Sequence, residues 1–453
     1  MNYQEQIHTY VQAHRNEIVN VLKELIFIPS TRGESQPNAP FGQACHDVLS
    51  HIEELYAQNG FATVRDEDGG YLLSFYGEGE RHLGLFAHAD VVPAGEDWIL
   101  TAPFAPLEKD GFLVGRGASD DKSAVVISLY CAKMLRELGI PLHSQLTMFT
   151  GINEESGMQD IKMYVAKHRA PVFSLVCDSA FPLYHGNKGI LRFVATQNEP
   201  MQDLTAFYGG AAMNIILGEV HAEIGTECFV KRGISRHGAL PEGSLNAAHV
   251  MAKHLADSPL LCEKDKTQMA FIRDTLAGYY GEIMGIAHTD VEFGKLTISN
   301  GMAWMEEQKI SLSFDMRFGA SVELAATKEH IRNYFGRSGW NIDIICEELP
   351  FVVSKENPYL RACLDIYKDF TGQTDATPRI NAGGTYARTL PCAVEIGTSL
   401  FGERPPFSLP SGHGGIHQPD EYISIDGLLR ALEITALMLV ACDSVAHRSK
   451  QKT

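Results

Sequence analysis

Gly115-Arg-Gly-Ala-Ser-Asp-Asp-Lys122 follows a short apolar run, Phe112-Leu-Val114, and leads into a helix-patterned segment over about residues 123–138. A glycine-rich strand-to-helix turn that presents two adjacent acids and a lysine is poor core material. It is a good place to hold a cation. The other acids and histidines able to share that cation lie far away in sequence, so the rest of the chain must bring them together.

Outward from this turn the pattern alternates between helix and strand. A helical period over residues 4–27 stops at Pro29, and a second over 41–59 is ended by Gly60. Tyr71-Leu-Leu-Ser-Phe-Tyr76 and Leu83-Gly-Leu-Phe-Ala87 read as strands. The helix after the turn stops at Gly139, with Pro141 just beyond. Ser144-Gln-Leu-Thr-Met-Phe-Thr150 and Phe173-Ser-Leu-Val-Cys177 are further buried-strand runs, with a helix over about 157–168 between them. Alternation of this kind predicts an α/β domain with a mostly parallel sheet flanked by helices.

From Gly189 to about Val353 the texture changes to alternating runs such as Ile190-Leu-Arg-Phe-Val-Ala195 and Lys309-Ile-Ser-Leu-Ser-Phe-Asp-Met-Arg317. Helical stretches interleave at about 245–255 and 325–335. This predicts an inserted α+β domain with a half-exposed antiparallel sheet. Helix at 358–370, a strand at 393–396 and a closing helix at about 425–446 then complete the first domain. The expected organisation is 1–186 and 354–453 as one α/β domain in two pieces, and 187–353 as a lid-like insertion.

The bulk composition is compatible with more than one core: 453 residues, 45% of them apolar. A net charge of −18 disfavours nucleic acid and anionic membranes as partners. No apolar run approaches the roughly 20 residues needed to span a bilayer. Nine scattered cysteines, no C-x-x-C pair and a polar start imply free thiols and a cytoplasmic protein.

Three of the strand runs finish in metal-type residues: His88-Ala-Asp90, Asn153-Glu154-Glu155 and Asp178. Ligands of open α/β sheets bind beyond the carboxyl ends of strands, where such groups can converge. Singly each has an ordinary explanation, a satisfied histidine, a helix-start glutamate or an N-cap. Together with Asp120 they outweigh it. Neutral imidazole and carboxylates suit Zn²⁺ first, with Mn²⁺ and Co²⁺ as alternatives, and two cations require a bridging carboxylate. One glutamate of the 154/155 pair would be a ligand and the other a general base. Asp90 is placed to orient His88. Either His413 or His417 fits as the remaining histidine by spacing.

As a set, His88-Ala-Asp90-Val-Val-Pro93, Gly115-Arg-Gly-x-x-Asp120-Asp-Lys122, Asn153-Glu-Glu-Ser-Gly157 and His417-Gln-Pro-Asp-Glu421 resemble the motifs of a metallopeptidase family. It includes aminoacylase, acetylornithine deacetylase, carboxypeptidase G, carnosinase and the PepV-type dipeptidases. The resemblance implies that His88 and Asp178 bind one metal and Glu155 and His417 the other. It further implies that Asp120 bridges, Glu154 is the general base, Asp90 orients His88, and a cis peptide joins Asp120 to Asp121. Ser123 departs from the glycine usual in the family.

Within the insertion, Ser235-Arg-His237-Gly-Ala-Leu-Pro241 resembles the lid segment whose histidine donates to the developing oxyanion. Asp315-Met-Arg317 resembles the strand-end arginine that grips a substrate carboxylate; a salt bridge is its ordinary alternative. Asn214 resembles the lid asparagine that helps hold the tetrahedral centre, and Gly383-Gly384-Thr385 a loop offering backbone groups to the same carboxylate.

Competing motifs fail. Ser119-Asp-Asp-Lys122 matches S-x-x-K without the partner motifs of serine acyl-enzymes, and the adjacent acids should disfavour a neutral lysine there. Neither a Walker A sequence nor H-E-x-x-H occurs. The size of the insertion resembles the enlarged lid of PepV-type dipeptidases, which points to a monomer that cleaves unblocked dipeptides. An N-acyl-amino-acid deacylase or carboxypeptidase of the same chemistry is the alternative. A non-catalytic metal- or peptide-binding relative would lack one of these residues, and none is missing.

Overall fold

The computed structural model describes residues 3–400 and 404–450. The chain divides into two compact units. The first holds residues up to Gly186, Val353–Arg379 and those from Gly384 on; the second holds Asn187–Val352 and Ile380–Gly383.

Four parallel strands form the middle of the first unit's sheet, in the spatial order Gln145–Gly151, Arg81–His88, Phe173–Ser179, Ala393–Gly397. Their side chains are almost all buried, as expected of strands covered on both faces. Outside Gln145–Gly151 the sheet turns antiparallel through Tyr71–Tyr76 and Ala62–Arg65. The helices Lys122–Glu137 and Ile425–Lys450 pack against this unit's core, and Lys122–Glu137 is buried for most of its length. Among the described residues no helix is long and apolar enough to cross a membrane.

One local expectation changes. Residues 4–27 form two helices, Tyr3–Ala13 and Arg15–Phe27, parted at His14. There the imidazole Nδ1 bonds to the Tyr10 carbonyl (2.9 Å) and the ring stacks on Tyr10. The run Phe112–Val114, to which the sequence assigns no sheet, lies outside the main one. It is the middle strand of a small antiparallel sheet between Leu107–Lys109 and Tyr422–Ser424. That pairing carries the residues around 417–421 to the Gly115 turn from more than 300 positions away.

In the second unit a four-stranded antiparallel sheet runs Thr297–Glu306, Lys309–Phe318, Gly189–Gln197, Trp340–Glu348. Phe193, Phe314, Phe335 and Trp340 anchor its core. The helix Glu263–Thr275, not expected from the sequence, packs on Ala247–Ala256.

Candidate metal centre

The parallel strands end together: His88 is in register with Gly151, so the chain beyond Gly151 carries Glu154 and Glu155 past the same edge as Asp90. Asp90 makes that approach exact. Its two carboxylate oxygens accept the backbone N–H groups of Glu154 (3.1 Å) and Glu155 (3.2 Å). His88 Nδ1 donates to the Asp90 carbonyl oxygen (3.0 Å), with the Asp90 carboxylate at 3.3 Å. That bond points Nε2 into the site, the arrangement found behind metal-ligating histidines.

The turn Gly115–Lys122 is held in a comparable way. Gly117 has a φ of +85°, and the Asp120–Asp121 peptide is cis. Glu421, fully buried, accepts N–H groups from Gly117 (3.2 Å), Ser119 (2.9 Å) and Asp120 (3.1 Å) and pairs with Arg116 at 2.7 Å. Asp121 Oδ2 accepts the His88 backbone N–H (3.2 Å). The Lys122 ammonium donates to the carbonyls of Leu25 (2.7 Å) and Ile28 (2.6 Å). Burial pulls Lys122 down to about 7 against the neighbouring acids, the opposite of the direction expected from the sequence. Its amine is spent on those carbonyls, so it is a strut of the turn.

Asp120 then stands at the centre. Its Oδ1 is 3.1 Å from His88 Nε2, and its Oδ2 is 2.9 Å from His417 Nε2. Around His88, Asp178 lies at 3.9 Å; around His417, Glu155 lies at 3.1 Å. Two half-sites thus share one carboxylate. Of the two candidate histidines, His413 is bound instead to Asp420 (2.6 Å). His417 reaches the acids from a left-handed backbone conformation, φ +63°.

The donor set fits divalent cations. Ligand atoms of His88, Asp120 and Glu155 lie within 4.8 Å of one another, as do those of His88, Glu154 and Asp178. Glu154 Oε1 is buried without a hydrogen-bond partner. Burial, followed by the Asp178 charge, raises Glu154 well above the carboxylate range; burial and the Asp120 charge do the same to Asp178. Against its own burial, Asp120 is held low by His417 and His88. Burial is likewise outweighed at the histidines: their acids hold His88 well above its ordinary value and push His417 up to about 10. Crowded buried acids of this kind are relieved by positive charge. A third acid cluster, Asp203, Cys262 and Asp265, is of a different nature: Asp265 accepts the N–H groups of Gln202, Asp203 and Leu204, and Asp203 that of Cys262.

Metal binding at such a centre displaces protons from His88, His417, Glu154 and Asp178, so affinity should climb from pH 5 to pH 8. The expected rise is roughly tenfold per pH unit for each proton displaced. Titration calorimetry in buffers of different ionisation enthalpy reads it directly; an affinity flat across that range would contradict the ligand set.

The remaining candidates lie in the second unit, save two. His237 Nδ1 accepts the N–H of Ala239 (3.2 Å), which in the neutral ring leaves the proton on Nε2. That nitrogen lies 3.5 Å from the Asn214 amide, and Gly238 N–H donates to the Asn214 carbonyl (2.7 Å). Arg317 is buried and pairs through Nε and Nη2 with Asp315, which also binds Arg192. Its Nη1 donates to the Ala382 carbonyl (2.8 Å), beside Gly383. Three of its five donors are therefore committed. In the first unit, beyond Gly384, Thr385 Oγ1 donates to Glu395 (2.8 Å) and accepts the Ala387 N–H.

Sequence alone assigns no role to Glu421 or Arg116, although both belong to the motifs quoted above. Their visible signal was a glutamate closing one motif and an arginine opening another.

Comparison with known proteins identifies the family of the chain. Residues 84–441 match the model of peptidase family M20/M25/M40. A provisionally named dipeptidase of Staphylococcus epidermidis is 27% identical, covering 94% of this chain and 96% of its own. Human carnosine dipeptidase 1 shares the fold, with a TM-score of 0.62 at 15% identity over 98% of this chain and 99% of that one. The Bacillus subtilis YXEP protein, described as a dinuclear metal binding peptidase, has a TM-score of 0.55 at 11% identity, covering 95% and 98%.

Proposed function

The chain belongs to peptidase family M20/M25/M40, and from that premise we propose that it is a dipeptidase hydrolysing unblocked dipeptides with the help of two divalent cations, Zn²⁺ before Mn²⁺ or Co²⁺. The observation that carries the reading is Asp120, whose two oxygens separately face His88 and His417. A carboxylate so divided suits a bridge, with His88 and Asp178 on one side and Glu155 and His417 on the other. The dipeptidase names of the relatives support the substrate class.

Bound at this centre, the cations supply Lewis acidity and make water acidic enough to ionise near neutral pH. The protein's part follows from its own groups. Glu154 takes a proton from the attacking water and returns it to the nitrogen of the breaking C–N bond, so the products are a carboxylate and an amine. Asp90 keeps the Glu154 and Glu155 backbone and the His88 ring aligned during that transfer. From the second unit, which we take as the lid, His237 donates its Nε2 proton in a hydrogen bond to the developing oxyanion, beside Asn214. Arg317, with two donors left, and Gly383, Gly384 and Thr385 receive the substrate carboxylate. The catalytic unit is taken as a monomer because the large insertion resembles an enlarged lid, which would supply its own His237.

The test is hydrolysis by Zn²⁺- or Mn²⁺-loaded protein of one dipeptide, its N-acetyl form and the matching N-acetyl amino acid. Cleavage of the free-amine dipeptide alone is expected. Preference for the acetylated compounds would replace the dipeptidase by a deacylase or carboxypeptidase with the same metals and the same Glu154.

A further inference from the structure

Four consecutive N–H groups, those of residues 152–155, carry the chain from the end of the strand Gln145–Gly151 to the catalytic glutamates. Asp90 takes the last two. The first two go to one oxygen of a second buried acid: Asp160 Oδ2 accepts from Ile152 (2.8 Å) and Asn153 (2.7 Å). The other oxygen, Oδ1, accepts the N–H of Ile161 (2.8 Å) in the first turn of the helix Gln159–Lys167. Asp160 has no exposed surface, so its charge rests on these donors and on one more, the hydroxyl of Tyr386.

Tyr386, also fully buried, begins a short helical turn, Tyr386–Thr389, directly after Thr385. Its ring meets Phe149 edge-on at 5.4 Å and the His88 imidazole edge-on at 6.4 Å. The junction has left its mark on the sequence. A Cβ on Gly151 would come within 1.9 Å of the Tyr386 hydroxyl oxygen and 2.3 Å of Asp160 Oδ2, so only glycine fits where the strand ends.

We propose that Asp160 and Tyr386 are a positioning pair. The carboxylate fixes the start of the turn that presents Glu154 and Glu155, and the phenol locks that turn to the Thr385 segment and to the flank of His88. Neither group touches the reacting atoms. The pair acts through the glutamates, by removing the slack in their backbone that Asp90 alone leaves at the 152–153 end. This proposal rests on the reading of the metal centre given above.

The test compares wild type, Tyr386→Phe and Asp160→Asn, loaded with Co²⁺. Readouts are bound metal per chain, the visible Co²⁺ spectrum, and kcat and KM for whichever dipeptide or acyl amino acid the wild type cleaves. Tyr386→Phe removes one oxygen and should keep wild-type metal loading and KM while kcat falls about tenfold, the scale of a sub-ångström misplacement. Asp160→Asn sets an amide N–H against the Ile161 N–H or against the 152–153 pair. Its kcat should fall about a hundredfold with an altered Co²⁺ spectrum, because Glu155 shares the displaced turn. Wild-type kcat and spectrum in Tyr386→Phe would overturn the proposal. So would kcat losses that merely follow loss of folded protein or of bound metal. If the wild type cleaves neither substrate class, the functional reading fails, and the spectrum of the two variants still decides the pair.

Discussion

Glu154→Gln should lose about three orders of magnitude in kcat while binding as much metal as the wild type, since general-base catalysis contributes on that scale. The substitution keeps shape and hydrogen-bonding reach and removes only the ability to accept a proton and pass it on. Its Oε1 is buried and makes no hydrogen bond within the protein, so no structural partner is lost with the charge. Burial and then the Asp178 charge raise this carboxyl, and bound cations bring it back toward the range of a working base. Metal analysis beside steady-state kinetics checks the prediction. A fall in bound metal would make Glu154 a ligand, consistent with its place beside His88 and Asp178. A kcat within tenfold of wild type would remove it from the proton path.

Asp120→Asn should be more severe. Each oxygen of this side chain faces a different histidine, His88 at 3.1 Å and His417 at 2.9 Å, and an amide can offer an oxygen to only one of them. The NH₂ group on the other side would oppose a cation and leave that half-site without its shared ligand. Bound metal should fall by roughly half and activity by about four orders of magnitude or more, because paired cations act as one clamp. Elemental analysis after dialysis reads the first quantity. Full metal loading in this variant would show that the two ions do not depend on a bridge.

Much of the first unit's architecture was legible because parallel strands buried on both faces leave continuous apolar runs, and the residues closing those runs are abruptly polar. His88, Asp178 and the 153–155 stretch stood out for that reason. Other features had no local signal. The helix Glu263–Thr275 buries Asp265, Met269, Ile272 and Thr275, a face half polar, so no apolar stripe marks it. The division at His14 involves neither glycine nor proline. Glu421 and its backbone donors lie about three hundred residues apart, and only the pairing of Tyr422–Ser424 with Phe112–Val114 brings them together. Asp160 and Tyr386 lie 226 residues apart, and a tyrosine in a loop says nothing of the acid that its hydroxyl meets. Motif spacing reports what is near in sequence or repeated by a regular element. It does not report which buried charge supports which turn.

The position of Ala393–Gly397 beside Phe173–Ser179 has a consequence for how the protein is made. During synthesis the ribosome releases the first three parallel strands, and then more than two hundred residues must emerge before the fourth can dock. Until then the apolar flank of Phe173–Ser179 lacks its neighbour, and His417, still later in the chain, has not reached Asp120. The second unit, with a core of its own, can fold during that interval. The nascent first unit meanwhile exposes an unpaired strand edge, the surface most prone to wrong pairing and most in need of chaperone cover. His88 therefore waits for His417 to emerge before both histidines can flank Asp120.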